Sequence, residues 1–153
     1  SDTHSFPTRR SSDLSMQNKL NAYKETHIKT ASQGKIIIML YDEAMRQLDT
    51  AIRLLKDNTR EYDKVNAAIL RAQDMVTELM VSLDFEKGGD IAQGLYSLYM
   101  FFNQHMMQAN MKKDAEMLNT VRTQLNELRG AWDQVVNKAQ NGGQSSGGIN
   151  VAG

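Results

Sequence analysis

Between Gly34 and Ala139 one spacing recurs four times, with apolar residues separated by alternating steps of four and three. The first run is Ile37, Tyr41, Ala44, Leu48, Ala51 and Leu55; the second is Val65, Ile69, Ala72, Val76, Leu79 and Leu83. The third is Ile91, Leu95, Leu98, Phe102, His105 and Ala109, and the fourth runs from Leu118 through Val121, Leu125, Leu128, Trp132 and Val135 to Ala139. At 3.6 residues per turn each run falls on one side of a helix, and each such side has to be buried against other helices. No segment alternates apolar and polar residues over the length of a strand. The chain therefore predicts an all-α fold.

The connections are short. Asp57 to Glu61 separates the first two helices, with Asn58 and Thr59 as turn residues. Lys87-Gly88-Gly89-Asp90 separates the second and third: glycine adopts the left-handed conformation that ends a helix, and Asp90 is the expected cap of the next. Asn110 to Asp114 separates the third and fourth, with Asp114 as the expected cap. Loops this short make successive helices antiparallel neighbours, so the expected architecture is an up-down-up-down four-helix bundle. Pro7 is the only proline, and the long helices can run without a kink from that source.

The two ends differ from this pattern. Residues 1–15 have no apolar periodicity, and His4 to Leu14, HSFPTRRSSDL, resembles the translation of a common sequencing adaptor. The native protein is expected to begin at Met16. Residues 16–33 are polar with a few apolar anchors (Leu20, Tyr23, Ile28), an N-terminal arm before the bundle, and Ser32 is the expected cap of the first helix. Residues 140–153 carry five of the ten glycines with Ser145 and Ser146, the composition of a disordered tail. One bundle domain over 16–139, including the arm, is the expected organisation.

Composition narrows function by exclusion. The 18 basic and 18 acidic residues cancel, so no net field draws the chain to nucleic acid or to an anionic membrane. No apolar run is long enough for membrane insertion. Cysteine is absent, which removes disulfides, thiolate metal sites and a Cys nucleophile. The Glu-x-x-His pattern of di-iron bundles does not occur, and Gly88-Gly89-Asp90 lacks the spacing and lysine of a phosphate loop. Asp42 and Glu43, adjacent in sequence, point in different directions on a helix. No catalysis and no cofactor are expected. The alternative is a histidine phosphotransfer module using His105, but the third run places His105 on the buried seam beside Phe102 and Ala109, with no lysine after it to hold a phosphate.

Three helices carry a second apolar stripe. On the third, Tyr96, Met100, Met107 and Met111 lie roughly opposite the core seam. Ile38, Met45 and Ile52 on the first, and Leu70, Thr77 and Val81 on the second, form weaker ones. The corresponding face of the fourth helix is polar: Thr120, Thr123, Glu127, Gly130, Gln134 and Asn137. A bundle helix buries one broad face, so the extra stripes are expected either to lie under the arm or to bind a partner helix or extended segment. The ten methionines suit a surface that adapts to its ligand.

Several stretches stand out together: Asn21 to Asp42, NAYKETHIKTASQGKIIIMLYD; Ala72 to Ala92, AQDMVTELMVSLDFEKGGDIA; Leu98-Tyr99; Ala109-Asn110; and Glu127 to Trp132, ELRGAW. In this order and spacing they resemble the FliS family of flagellar secretion chaperones. Gln33 and Glu43 stand where the family often has proline and glycine. The resemblance implies a cytoplasmic, non-enzymatic four-helix bundle that uses no cofactor. It implies binding of the disordered C-terminal segment of flagellin, prevention of premature polymerisation, and delivery to the flagellar type III export apparatus. It also implies that the arm around Tyr23 lines or covers the binding groove. The candidate flagellin contacts are then Tyr23 and Ile28 in the arm, Ile38 and Met45, Leu70 and Val81, and Tyr96, Met100, Met107 and Met111 on successive helices. A monomer or weak dimer is expected.

Overall fold

The computed structural model describes residues 33–144, with side chains described through residue 138. The arm with Tyr23, Ile28 and Ser32, the tail, and the side chain of Ala139 lie outside the described residues. Four helices follow in order: α1 (Gln33–Lys56), α2 (Tyr62–Val81), α3 (Phe85–Lys112) and α4 (Ala115–Gln144). No strand occurs among the described residues. The chain divides into two compact units between Ile36 and Ile37; the first is described only as the opening turn of α1, and the second holds the bundle.

Cross-helix hydrogen bonds fix the topology. Gln73 Nε2 on α2 donates to the Asn103 carbonyl on α3 (3.0 Å), and Asn110 Nδ2 donates to Asn66 Oδ1 (2.6 Å). Seven residues back along α2 are matched by seven residues forward along α3, so the two are antiparallel. At the end of this ladder the Lys113 ammonium lies over the Tyr62 ring, 5.8 Å from its centroid. Arg129 pairs with Asp42 and Arg122 with Asp49, the same seven-residue exchange, so α1 and α4 are antiparallel neighbours as well. Tyr41 and Tyr99 meet across the interior from α1 and α3. The architecture is an antiparallel four-helix bundle.

The core follows the predicted seams on three helices. Tyr41, Ala44, Leu48 and Ala51 of α1 are fully buried, as are Val65, Ile69, Ala72 and Val76 of α2, and Leu118, Val121 and Leu125 of α4. Ile37, Leu55, Leu83, Leu128 and Trp132 pack partly buried at its margins. Two departures concern phase. On α3 the buried side chains are Ala92, Tyr99, Phe102, Met106 and Ala109, while Ile91 is 75% exposed. On α4 the buried valine is Val136, and its neighbour Val135 is exposed.

The turns explain part of this. Asn58 takes the left-handed conformation (φ 56°) between α1 and α2, which asparagine tolerates. The link between α2 and α3 comes earlier than the glycines: Asp84, not Asp90, caps α3, its Oδ1 accepting from the backbone N–H groups of Glu86 and Lys87 at 3.0 Å. Gly89 then breaks the helix from within, at φ 51° and ψ −125°, a conformation essentially restricted to glycine. Phe85 to Gly88 is thus a separate capped turn whose axis is offset from the rest of α3. Asp114 caps α4 as predicted, accepting from Glu116 and Met117.

Candidate functional site

The two outward faces of α2 and α3 form the candidate site. At about 100° per residue, Leu70, Thr77 and Val81 sit just outside the edge of α2 that Asn66 and Gln73 turn toward α3. Tyr96, Met100, Met107 and Met111 sit just outside the edge of α3 that carries Asn103 and Asn110. The antiparallel register places Leu70 opposite Met107, Thr77 opposite Met100, and Val81 opposite Tyr96. The result is a groove with apolar walls, running about 22 Å along α3 from Tyr96 to Met111 at 1.5 Å per residue.

Both walls are open. Leu70, Val81, Tyr96, Met100 and Met107 are all exposed, from 40% at Met100 to 70% at Val81, and Met111 is 77% exposed. Phe85 closes the Tyr96 end, its ring edge-on to that of Tyr96 with centroids 5.9 Å apart. The break at Gly89 is what lets the Phe85 turn reach that position. Contiguous apolar exposure of this kind marks a surface that meets a partner.

The floor between the walls is polar and uncharged. Thr77 Oγ1 donates to the Gln73 carbonyl (2.9 Å), so its lone pairs face Asn103, whose Nδ2 donates to Thr77 Oγ1 at 3.2 Å and approaches Met80 Sδ at 3.9 Å. That arrangement fixes the amide orientation and turns Asn103 Oδ1 the other way. Asn103 Oδ1 is buried and meets no hydrogen-bond donor among the described residues. Leaving such an acceptor unpaired costs roughly 1–3 kcal/mol. From Ile91 to Met111 α3 contains no Asp, Glu, Lys or Arg, so the groove wall it supplies offers no carboxylate, ammonium or guanidinium.

Two candidate contacts do not belong to this surface. Ile38 is 9% and Met45 6% exposed, and Met45 is part of the continuous core. The α1 stripe fails as an outward face because α1 buries a wider arc than one heptad seam: Leu40 and Met45 join Tyr41, Ala44 and Leu48 inside. His105 is also displaced from its expected place. It stands beside the core, partly exposed, and stacks on the Phe101 ring at 5.1 Å between centroids. Sequence reasoning missed Phe85, Asn103 and Gln73; the absence of charge along α3 was the available signal that this helix has two uses.

Among the described residues no group of His, Asp and Glu is arranged to hold a metal ion, and no helix is long and apolar enough to cross a membrane. Among the ion pairs, Arg122–Asp49 and Arg129–Asp42 join α1 to α4, Arg71–Glu43 joins α2 to α1, and Lys64–Glu61 lies at the start of α2. Burial works to raise the Glu43 carboxyl, but hydrogen bonds from Gln47 and Arg46 outweigh it and hold the group below the usual carboxylate range.

The family model described as "Flagellar protein FliS" matches residues 16–139. The flagellar secretion chaperone FliS of Bacillus subtilis is 26% identical over 136 residues, 89% of this chain and 99% of its own length. Those of Vibrio cholerae and Campylobacter jejuni are 32% and 33% identical, covering 78% and 80% of this chain and 90% and 95% of their own. A family match over residues 16–139, on an all-helical bundle and with relatives matched over most of this chain and of their own length, leads to one assignment: the chain belongs to the FliS family of flagellar secretion chaperones.

Proposed function

We propose that this protein is a cytoplasmic, non-enzymatic export chaperone whose groove between α2 and α3 holds the disordered C-terminal segment of flagellin. Held there, the segment is kept from premature polymerisation until the subunit reaches the flagellar export apparatus. The observation that carries the reading is the line of exposed Tyr96, Met100, Met107 and Met111 on α3, faced by Leu70 and Val81 on α2. Such a tail presents apolar helical positions that it cannot bury by itself. Covering what remains exposed of each wall residue contributes roughly 1 kcal/mol, and ordering the tail takes back part of the sum. The net affinity is therefore moderate, which suits a cargo that must be released.

Methionine walls serve this task because the thioether is polarizable and its chain adopts many shapes, so tails of differing sequence can be accommodated. Tyr23 and Ile28, the arm contacts that the family resemblance implies, lie outside the described residues. A monomer or weak dimer carries one tail per chain.

Calorimetric titration of the full chain with a peptide of flagellin's C-terminal segment tests the proposal. Saturable one-to-one binding with a negative heat-capacity change, the mark of apolar burial, is expected. No heat and no mobility shift at high micromolar peptide would reject it.

A further inference from the structure

We infer that Asn103 Oδ1 is the specificity-determining acceptor of the groove, reserved for an uncharged hydrogen-bond donor, a hydroxyl or carboxamide side chain, at the middle of the docked segment. The inference rests on the flagellin reading and adds the chemistry by which the groove selects what it holds. Three observations converge on it. Asn103 lies on the α3 edge facing α2, between the two apolar walls, one turn from Met100 on one side and Met107 on the other. Its amide cannot rotate to satisfy itself: Thr77 Oγ1 spends its proton on the Gln73 carbonyl, and therefore accepts from Asn103 Nδ2. Its Oδ1 is buried with no donor among the described residues.

Native proteins rarely leave a buried acceptor unpaired, and where they do the group usually has a use. Here the two flanking side chains are exposed methionines, unbranched and flexible, which can part when a segment presses between the walls. A donor on that segment then meets Oδ1 in an environment from which water has been excluded. The donor should be neutral because α3 offers no carboxylate from Ile91 to Met111 and Asp74 on the α2 wall is solvent-exposed, so an ammonium or guanidinium brought to the buried floor would lose its hydration without an adjacent counter-charge. A carboxylate there would face the lone pairs of Oδ1. A wholly apolar segment would leave the acceptor unpaired. The groove thus discriminates by hydrogen bonding at one point, while the methionine walls tolerate variation elsewhere.

The test uses the full chain and a peptide of flagellin's C-terminal segment. With Asn103 labelled at its side-chain carbonyl carbon, the Cγ resonance should move downfield on binding, as it does when an amide oxygen gains a donor. Asn103→Leu should bind about tenfold more weakly while its melting temperature stays level or rises, because an unpaired buried acceptor has been removed. Replacing the Ser, Thr, Asn and Gln residues of the peptide by Ala, one at a time, should reveal one position whose loss weakens wild-type binding and leaves Asn103→Leu binding unchanged. A Cγ resonance that stays fixed while the peptide binds, or a peptide with no coupled position, overturns the assignment and leaves the flagellin reading standing. If the wild-type chain does not bind the peptide at all, both fall together.

Discussion

The hydroxyls of Tyr41 on α1 and Tyr99 on α3 meet at 2.5 Å in the middle of an otherwise apolar core. Both rings are essentially without solvent exposure, tilted at 58° with centroids 6.4 Å apart. Trp132 on α4 packs partly buried against the same core. Apolar packing alone permits small rotations of a helix about its own axis. A hydroxyl pair does not, because any turn that separates the two oxygens leaves both unpaired in a dry interior. The pair thereby sets the rotation of α3, and with it the outward bearing of Met100 and Met107.

Replacing Tyr99 by Phe removes one hydroxyl and leaves that of Tyr41 without its partner across the core. The expected loss is about 1 kcal/mol, read as a lower urea midpoint with unchanged slope. An unchanged midpoint would show that the hydroxyl contact is incidental to the packing.

The same pair makes the bundle sensitive to alkali. Burial, the largest influence on both groups, pushes both phenols up. The unfolded chain ionises its tyrosines near pH 10, whereas the folded chain keeps these two protonated. The unfolded state then holds fewer protons, so stability is full below about pH 10 and falls as pH rises beyond it. Urea midpoints measured from neutral to strongly alkaline pH should drop more steeply for the wild type than for Tyr41→Phe/Tyr99→Phe. Parallel curves would contradict this.

Two glycine substitutions should act in opposite directions. Gly130 lies exposed on α4 with open space where a Cβ would stand, so Gly130→Ala should stabilise by roughly 0.5–1 kcal/mol. Gly89 has as much room but sits at φ 51° and ψ −125°, so Gly89→Ala should cost roughly 1–3 kcal/mol and displace the Phe85 turn from Tyr96. Thermal melts of the two variants, with tyrosine fluorescence of the second, check both signs.

Where the sequence was legible and where it was not follows from how much contrast each helix offers. On α2 charged residues such as Lys64, Arg71 and Glu78 flank the apolar run, and the seam from Val65 to Leu79 is buried as its spacing requires. On α3 there is no charged residue from Ile91 to Met111, so several phases satisfy the same spacing. The run through Ile91, Leu98 and His105 was one of them; the molecule buries Ala92, Tyr99 and Met106, one residue further on. The Gly89 break hides the phase further, since the residues before it do not continue the axis of those after it. Val135 and Val136 pose the same ambiguity in miniature. The outward bearing of Tyr96, Met100, Met107 and Met111 was readable because it depends only on their mutual spacing. The unpaired oxygen of Asn103 was not, because it arises from hydrogen bonds to residues on another helix.

The central claim, that flagellin's C-terminal segment lies along the outward face of α3, is tested most directly by calorimetry on Tyr96→Asp/Met107→Asp beside thermal melts of the same variant. Both side chains are exposed and the main packing lost is the Tyr96–Phe85 ring contact, so folding should change by no more than about 1.5 kcal/mol. Binding of the peptide should weaken at least about tenfold, or about 1.4 kcal/mol, because two carboxylates would be buried against an apolar segment. Phe102→Ala, one residue beyond the exposed Phe101 but fully buried, should instead lose roughly 3–5 kcal/mol of stability. A Tyr96→Asp/Met107→Asp variant that stays folded and binds the peptide as tightly as the wild type would place the flagellin site on another face of the bundle.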